Sequence, residues 1–231
     1  MQSLPQDYRA LVIGATGAIG AAFVQQLQAD PRCALVLALG RGSTPRIDFG
    51  DEASVADAAL ALAGQGPFHL VINAAGLLHG AHGLPEKRLA QLNYAQLEQT
   101  FRTNTFGPAL VLAHFAPLLD RQRSVLAVLS AKVGSMGDNR LGGWYSYRAS
   151  KAALNMLVKT AAIEVQRSNP AAVLVALHPG TVDSALSAPF RGAEIGRPAQ
   201  DAAADMLRVL DGLAPTDSGG FFAYSGQALP W

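Results

Sequence analysis

The apolar run Arg9-Ala10-Leu11-Val12-Ile13 passes without a break into Gly14-Ala15-Thr16-Gly17-Ala18-Ile19-Gly20, and then into the amphipathic stretch Ala21 to Ala29. Strand, glycine turn, helix: this order restricts the fold more than any other feature of the chain. The three glycines have separate uses. Gly14 makes the turn at the strand end, Gly17 lets a ligand reach the backbone, and Gly20 lets the helix pack back on its strand. Unpaired N–H groups and the helix dipole favour an anion at such a helix N-terminus, and a dinucleotide pyrophosphate suits this spacing. Thr16 and Ile19, inside the turn, are counted with it as cofactor-binding residues.

The alternation continues along the chain. Ala34 to Leu39 reads as a second apolar strand, Arg46 to Phe49 as a short third, Ser54 to Ala63 as an alanine-rich helix and His69 to Ala74 as a fourth strand. A polar loop, Gly76 to Lys87, leads to helical patterns from Tyr94 to Leu119. A strand at Ser124 to Ser130, a helix at Tyr145 to Ser168 and a strand at Ala172 to Leu177 follow. After a loop from Pro179 to Pro198 come a helix, Ala199 to Leu210, and a last strand near Gly220 to Tyr224. Strands that are apolar throughout are covered on both faces, and βα alternation makes them parallel. The expectation is an α/β fold: one doubly wound Rossmann domain over residues 1–231, with a parallel sheet of about seven strands and helices on both faces. With 231 residues, half of them apolar, the chain can bury a large core.

Charge and cysteine content narrow the class. A formal net charge of +1 gives no reason to expect nucleic acid or an anionic membrane as partner. One cysteine, Cys33, excludes an intrachain disulfide and points to a reducing, cytoplasmic setting, with Cys33 a small buried hydrophobe of the second strand. Met1 to Tyr8 lacks a basic region followed by an apolar core, and no uncharged apolar run reaches the roughly 18 residues of a membrane span, so a soluble protein is expected. His69, His79, His82, His114 and His178 show no metal-ligand spacing, and no metal is expected. His79 and His82 bracket a glycine-rich loop, as substrate contacts or as solvated loop residues. His178, before Pro179, reads as a hydrogen-bonded structural residue at a strand end.

A second chemical signal lies in Tyr147-Arg148-Ala149-Ser150-Lys151. On a helix, positions four apart stack on one face about 6 Å apart along the axis, so an ammonium there favours the tyrosinate form. An ordinary tyrosine titrates near pH 10, and a nearby cation brings it toward service as an acid or base near neutrality.

With these pieces in order, the chain resembles the short-chain dehydrogenase/reductase family over nearly its whole length. The resemblance rests on the glycine turn, on Asn73-Ala74-Ala75-Gly76 after the fourth strand, on Asn104 in Asn104-Thr105-Phe106-Gly107, on the Tyr147/Lys151 pair, and on Pro179-Gly180-Thr181-Val182. The stretch Gly142 to Met156 is similar, more narrowly, to the C-factor and sniffer-type carbonyl reductase branch. The resemblance implies an oxidoreductase that moves hydride between a nicotinamide and a carbonyl or secondary alcohol. In it Tyr147 is the general acid/base, Lys151 lowers the tyrosine pKa and holds the nicotinamide ribose, and Asn104 fixes a helix kink and a water that relays protons to Lys151. It also implies a homodimer or homotetramer formed through the helices carrying Asn104 and Tyr147, with Val158, Ala161 and Ala162 on the second helix.

The chain departs from the family pattern at one catalytic place. The substrate-orienting serine stands three residues before a glycine in relatives, and counting back from Gly134 gives Ala131. Ser130 is the favoured replacement, with Ser135 or no hydroxyl as the alternatives. Trp144 and Tyr145 either line the pocket or pack beneath it. The glycine turn also carries Ala18 and Ile13 where many relatives have a glycine and a threonine. Cofactor choice turns on the end of the second strand, Leu39-Gly40-Arg41, which has no carboxylate for ribose hydroxyls but has a guanidinium suited to a 2′-phosphate. NADP(H) is therefore expected over NAD(H), with Arg46 assisting and Asp48 capping the adenine edge. A different class of function is a catalytically inactive nucleotide-sensing or signalling module, which the alanine at 131 favours and an intact Tyr147, Lys151 and Asn104 set opposes.

Overall fold

Six of the apolar runs are strands, and all six pair in one parallel sheet. A computed structural model describes residues 1–231, with β1 Tyr8–Ile13, β2 Cys33–Leu39, β3 Leu70–Asn73, β4 Ser124–Leu129, β5 Ala172–His178 and β6 Phe221–Ala223. Their order across the sheet is β2-β1-β3-β4-β5-β6. The central strands β3 and β4 are buried at every position, and β5 at every position before His178, because helices cover both faces. β2 is an edge strand and only partly covered, so Cys33 is half-buried there rather than sealed in the core.

The chain has seven α-helices: α1 Ala18–Ala29, α2 Glu52–Leu62, α3 Tyr94–Phe101, α4 Gly107–Phe115, α5 Tyr145–Ser168, the short α6 Gly192–Ile195 and α7 Ala199–Gly212. Val55, Val111, Phe115, Leu154 and Val158 pack α2, α4 and α5 on one face. Phe23, Leu27, Met206 and Leu210 pack α1 and α7 on the other. At about 1.5–3 kcal/mol for each large apolar side chain buried, these layers outweigh differences in helix propensity. No helix is long and apolar enough to cross a membrane.

Two elements differ from their sequence patterns. Arg46 to Phe49 is not a strand: Ile47 donates its N–H to Gly40 O at 3.0 Å and buries its side chain, so the segment folds back over the end of β2. The helical run from Tyr94 to Leu119 is broken by a five-residue π turn, Arg102–Phe106, between α3 and α4, and ends in a 3₁₀ turn at Ala116–Leu118.

The topology itself locates a crevice. β1 lies between β2 and β3, so the strand order reverses beside it and the connections on its two sides diverge. Ligands of doubly wound sheets bind outside the carboxyl ends of the strands at such a point. The glycine turn leaves β1 there, and Asn73 to Gly76 leaves β3.

Candidate active site

The glycine turn is built as its spacing demands. Gly14 sits at φ +79°, where a side chain is strained, and an added Cβ would lie 2.7 Å from Ala75 N. A Cβ on Gly20 would come within 2.1 Å of Gly14 O, so the start of α1 lies directly on the turn. Gly17 is the N-cap of α1 and brings no side chain to its first turn, whose N–H groups stay available to an anion.

A cavity of about 400 Å³ opens over this turn, bordered by Thr16, Arg41, Asp48 and Ala74 to Gly76. Thr16 and Arg41 are exposed and make no side-chain hydrogen bond or ion pair within the chain. Arg46 is engaged, at 3.1 Å from Asp48 and 3.4 Å from Asp51, so it does not assist as a free cation. Asp48 also accepts from Gly50 N at 3.0 Å. Asn73 is fully buried and accepts from Ala75 N at 3.1 Å, so it shapes the Ala74–Gly76 turn from behind rather than lining the cavity. A tight glycine turn, an uncapped helix start and an unpaired guanidinium fit a phosphorylated dinucleotide.

The hollow continues along Gly17 to Gly20, past Ala74 to Gly76, to Tyr147 and Lys151 on α5. α5 begins unusually. Gly142, Gly143 and Trp144 all have positive φ, and Trp144, the N-cap at φ +52°, is the one with a side chain to strain. Two groups hold this entry. Arg148 donates Nε to Gly143 O at 2.9 Å and Nη1 to Val133 O at 3.2 Å. Glu86, only 2% exposed, accepts from Trp144 N through its main-chain oxygen at 2.5 Å, and its carboxylate accepts from Ser146 N at 3.1 Å and from the Ser146 hydroxyl. Pattern reading passed over Glu86, a lone acid in a polar loop; the available signal was the uncapped start of the helix carrying Tyr147.

Asn104 lies in the π turn, fully buried. It accepts from Leu77 N and donates to Leu77 O, both at 2.7 Å, and also donates to Ser150 Oγ at 3.2 Å. Through these bonds Asn104 ties the π turn between α3 and α4 to the loop and to α5. A point above Gly76 lies 3.7 Å from Asn104 Oδ1 and 3.7 Å from Lys151 Nζ, so the two side chains border the same space.

Burial sets the titration of the pair. Lys151 is 3% exposed and donates Nζ to Leu129 O at 2.9 Å, 5.9 Å from the Tyr147 ring centre. Loss of hydration pulls the amine down to about 7 and pushes the Tyr147 phenol up to about 12. In the chain by itself the phenol is raised by desolvation, not lowered by the lysine. The Tyr147 hydroxyl has no hydrogen-bond partner in the protein.

The orienting serine is absent from its place. Ala131 packs against Tyr147 and Leu78. Ser130 is buried and donates Oγ to Asn155 Oδ1 at 2.6 Å, while the residue itself borders the hollow that Tyr147 borders. Ser135 donates to Trp231 O at 3.3 Å and accepts from Asp138 N at 3.1 Å.

Beyond Tyr147 a further hollow of about 350 Å³ reaches Ala131, His178 and the segment after β5. Pro179 and Gly180 turn the chain, Thr181 is exposed at the mouth, and Val182 is buried against the core. Trp144 lines this space, its ring 6.1 Å from Tyr147 and 4.9 Å from Phe190, whereas Tyr145 does not border it. His79 reaches Ala185 O at 3.3 Å and packs on Phe190, fastening one loop to another. His82 is exposed and unpartnered. A hollow of about 470 Å³ lies elsewhere, in an external groove between α4 and α5. Ala161 borders that groove, while Val158 and Ala162 point into the sheet contact instead.

The fold and this constellation define a nicotinamide-type oxidoreductase, and comparison with known proteins agrees. The short chain dehydrogenase family model matches residues 8–194, and the chain belongs to the short-chain dehydrogenase/reductase family. Within it the chain is similar to the C-signal protein, as the resemblance to C-factor implied. It is 39% identical over 168 residues to the C-signal protein of Myxococcus xanthus, covering 72% of this chain and 94% of that one. It is 31% identical over 187 residues to 1-hydroxy-2-glutathionyl-2-methyl-3-butene dehydrogenase of Rhodococcus sp. strain AD45, covering 81% and 79%. Among solved structures, NADPH-bound carbonyl reductase from chicken fatty liver superposes with a TM-score of 0.83 at 26% identity, over 99% of this chain and all of that one. The Sniffer carbonyl reductase of D. melanogaster gives 0.82 at 22% identity over 98% of this chain and all of that one, a likeness of fold.

Proposed function

We propose that the protein is an NADP(H)-dependent carbonyl reductase in which Tyr147 is the proton donor. One observation carries the reading: the unpartnered Tyr147 phenol faces a hollow that runs on to the glycine turn, with Lys151 and Asn104 beside it. A bound reduced nicotinamide supplies the hydride for the carbonyl carbon. Tyr147 gives its proton to the carbonyl oxygen, its O–H bond breaking as the C=O bond becomes C–OH. A phenol pushed up to about 12 keeps that proton through neutral pH, so the chain is set for reduction, and alcohol oxidation gains as pH rises. Lys151 holds the ribose, and with Asn104 it returns a proton to the phenol from water. Gly14, Thr16, Gly17, Ile19 and Gly20 take the pyrophosphate side, Asp48 and Ala74 to Gly76 the adenosine, and Pro179 to Val182 the nicotinamide. Arg41 pairs with the ribose 2′-phosphate.

Ala131 favours a second reading, a module that binds the nucleotide without turnover. Mixing the protein with NADPH and a panel of ketones and aldehydes separates the two. The proposal expects loss of nicotinamide absorbance, faster with NADPH than with NADH; tight binding with no consumption across the panel would support the module instead.

A further inference from the structure

We propose that the imidazole Nε2–H of His178 orients the substrate carbonyl oxygen, in the role a serine would have had at position 131, and that the substrate is a flat aryl ketone or aldehyde. This rests on the carbonyl-reductase reading above. Negative charge developing on a carbonyl oxygen needs a fixed donor besides the one that transfers its proton, and that donor must sit beside Tyr147. Ala131 offers only a methyl group there.

The other polar side chains bordering the hollow are occupied or set apart. Ser184 and Ser187 both donate to Val182 O, at 3.3 and 2.5 Å. Ser130 is bonded to Asn155. Lys132, half-exposed, is paired at 3.3 Å with Asp138. Thr181 stands exposed at the mouth, in the segment assigned to the nicotinamide.

His178 differs from all of these. It ends β5, whose register sets Leu177 beside Leu129, so His178 lies next to Ser130, one residue from Ala131. It borders the same hollow as Tyr147. The structural hydrogen bond expected of it does not exist: neither ring nitrogen has a partner, and Nδ1 is sealed from solvent. An N–H buried without an acceptor costs more than a buried lone pair, which puts the proton of the neutral ring on Nε2, the nitrogen that is not sealed. Burial and the nearby Lys132 charge hold the ring down to about 4, so it remains a neutral single donor at pH 7. The substrate class follows from the walls. Trp144 and Phe190, 4.9 Å apart, form an aromatic side with Leu78, which suits a planar apolar group carrying the carbonyl.

The test uses para-nitrobenzaldehyde and NADPH with wild type, His178→Phe, His178→Gln, Ala131→Ser, the His178→Phe/Ala131→Ser double variant and Tyr147→Phe. His178→Phe keeps a ring but removes the donor, and should lower kcat/KM about ten- to hundredfold while NADPH affinity and melting temperature hold. His178→Gln, which restores an N–H, should recover part of that loss and serves if the phenylalanine variant folds poorly. Ala131→Ser should rescue most of the loss in His178→Phe, a reversal that a merely structural histidine would not give. Full turnover in His178→Phe and His178→Gln, or no rescue by Ala131→Ser, would overturn the assignment. Full turnover in Tyr147→Phe would instead overturn the underlying reading, and no consumption of the aldehyde by wild type would overturn the aryl class.

Discussion

Replacing Lys151 by methionine should make the protein more stable in mild acid and less stable in alkali. The folded chain holds the amine near 7, against an ordinary 10.5. At about 1.4 kcal/mol per pKa unit, keeping the charged amine buried costs about 5 kcal/mol relative to the unfolded chain. The sign follows from proton counting. Below pH 7 both states are protonated and the fold carries the whole penalty. Between 7 and 10.5 the unfolded chain keeps a proton that the folded chain has released, so wild-type stability rises with pH, and above 10.5 the penalty is gone. Methionine removes the charge at similar length but strands Leu129 O, which loses its 2.9 Å bond from Nζ, at about 1–3 kcal/mol. Near pH 6 the variant should therefore gain about 2–4 kcal/mol, and near pH 10.5 it should lose about 1–3 kcal/mol. At roughly 2–4 °C per kcal/mol for a chain of this length, thermal melts at the two pH values should shift in opposite directions. A Lys151→Met melting temperature below wild type at both would show that the amine is not charged at a penalty, and the desolvation argument would fall.

Other positions give independent checks. Arg41→Ala should erase most of a several-fold preference for NADPH over NADH in calorimetry, because no other free guanidinium borders that cavity; equal affinities in wild type would refute the cofactor assignment. Glu86→Ala leaves Ser146 N and its hydroxyl buried without an acceptor, and should lower kcat by about tenfold with NADPH affinity held, while Glu86→Gln retains more. Unchanged kcat in Glu86→Ala would remove it as a positioning residue for Tyr147. If two chains pair through the α4/α5 groove, Ala161→Arg should halve the mass found by light scattering; a single chain in wild type at micromolar concentration would dispose of that assembly.

The parts of this molecule that were legible in its sequence are those in which one local requirement dominates. Gly14 and Gly20 announce a turn because no side chain fits there, and β3, β4 and β5 announce themselves because covering on both faces demands an unbroken apolar run. What stayed hidden depends on partners distant in the chain. Arg46 to Phe49 has strand-like residues, but Ile47 finds its partner in Gly40 and not along the sheet edge. The π turn at Asn104 exists because that amide closes two bonds with Leu77, which helical periodicity does not record. Whether Ser130, Ser135 or neither stands in for a serine at 131 was not legible, because the hydroxyl of Ser130 bonds Asn155 and that of Ser135 bonds Trp231, partners distant in the chain. The Tyr147/Lys151 spacing was legible, but the effect of burial on both groups was not.

The most direct test is turnover by Tyr147→Phe, on a carbonyl compound that wild type reduces with NADPH. Phenylalanine keeps the ring that packs on Ala131 and Trp144 and removes only the hydroxyl, which has no partner in the protein to lose. Melting temperature and NADPH affinity should stay at wild-type values while kcat falls roughly a hundredfold or more, the range for a lost general acid. Wild-type kcat in that variant would contradict it.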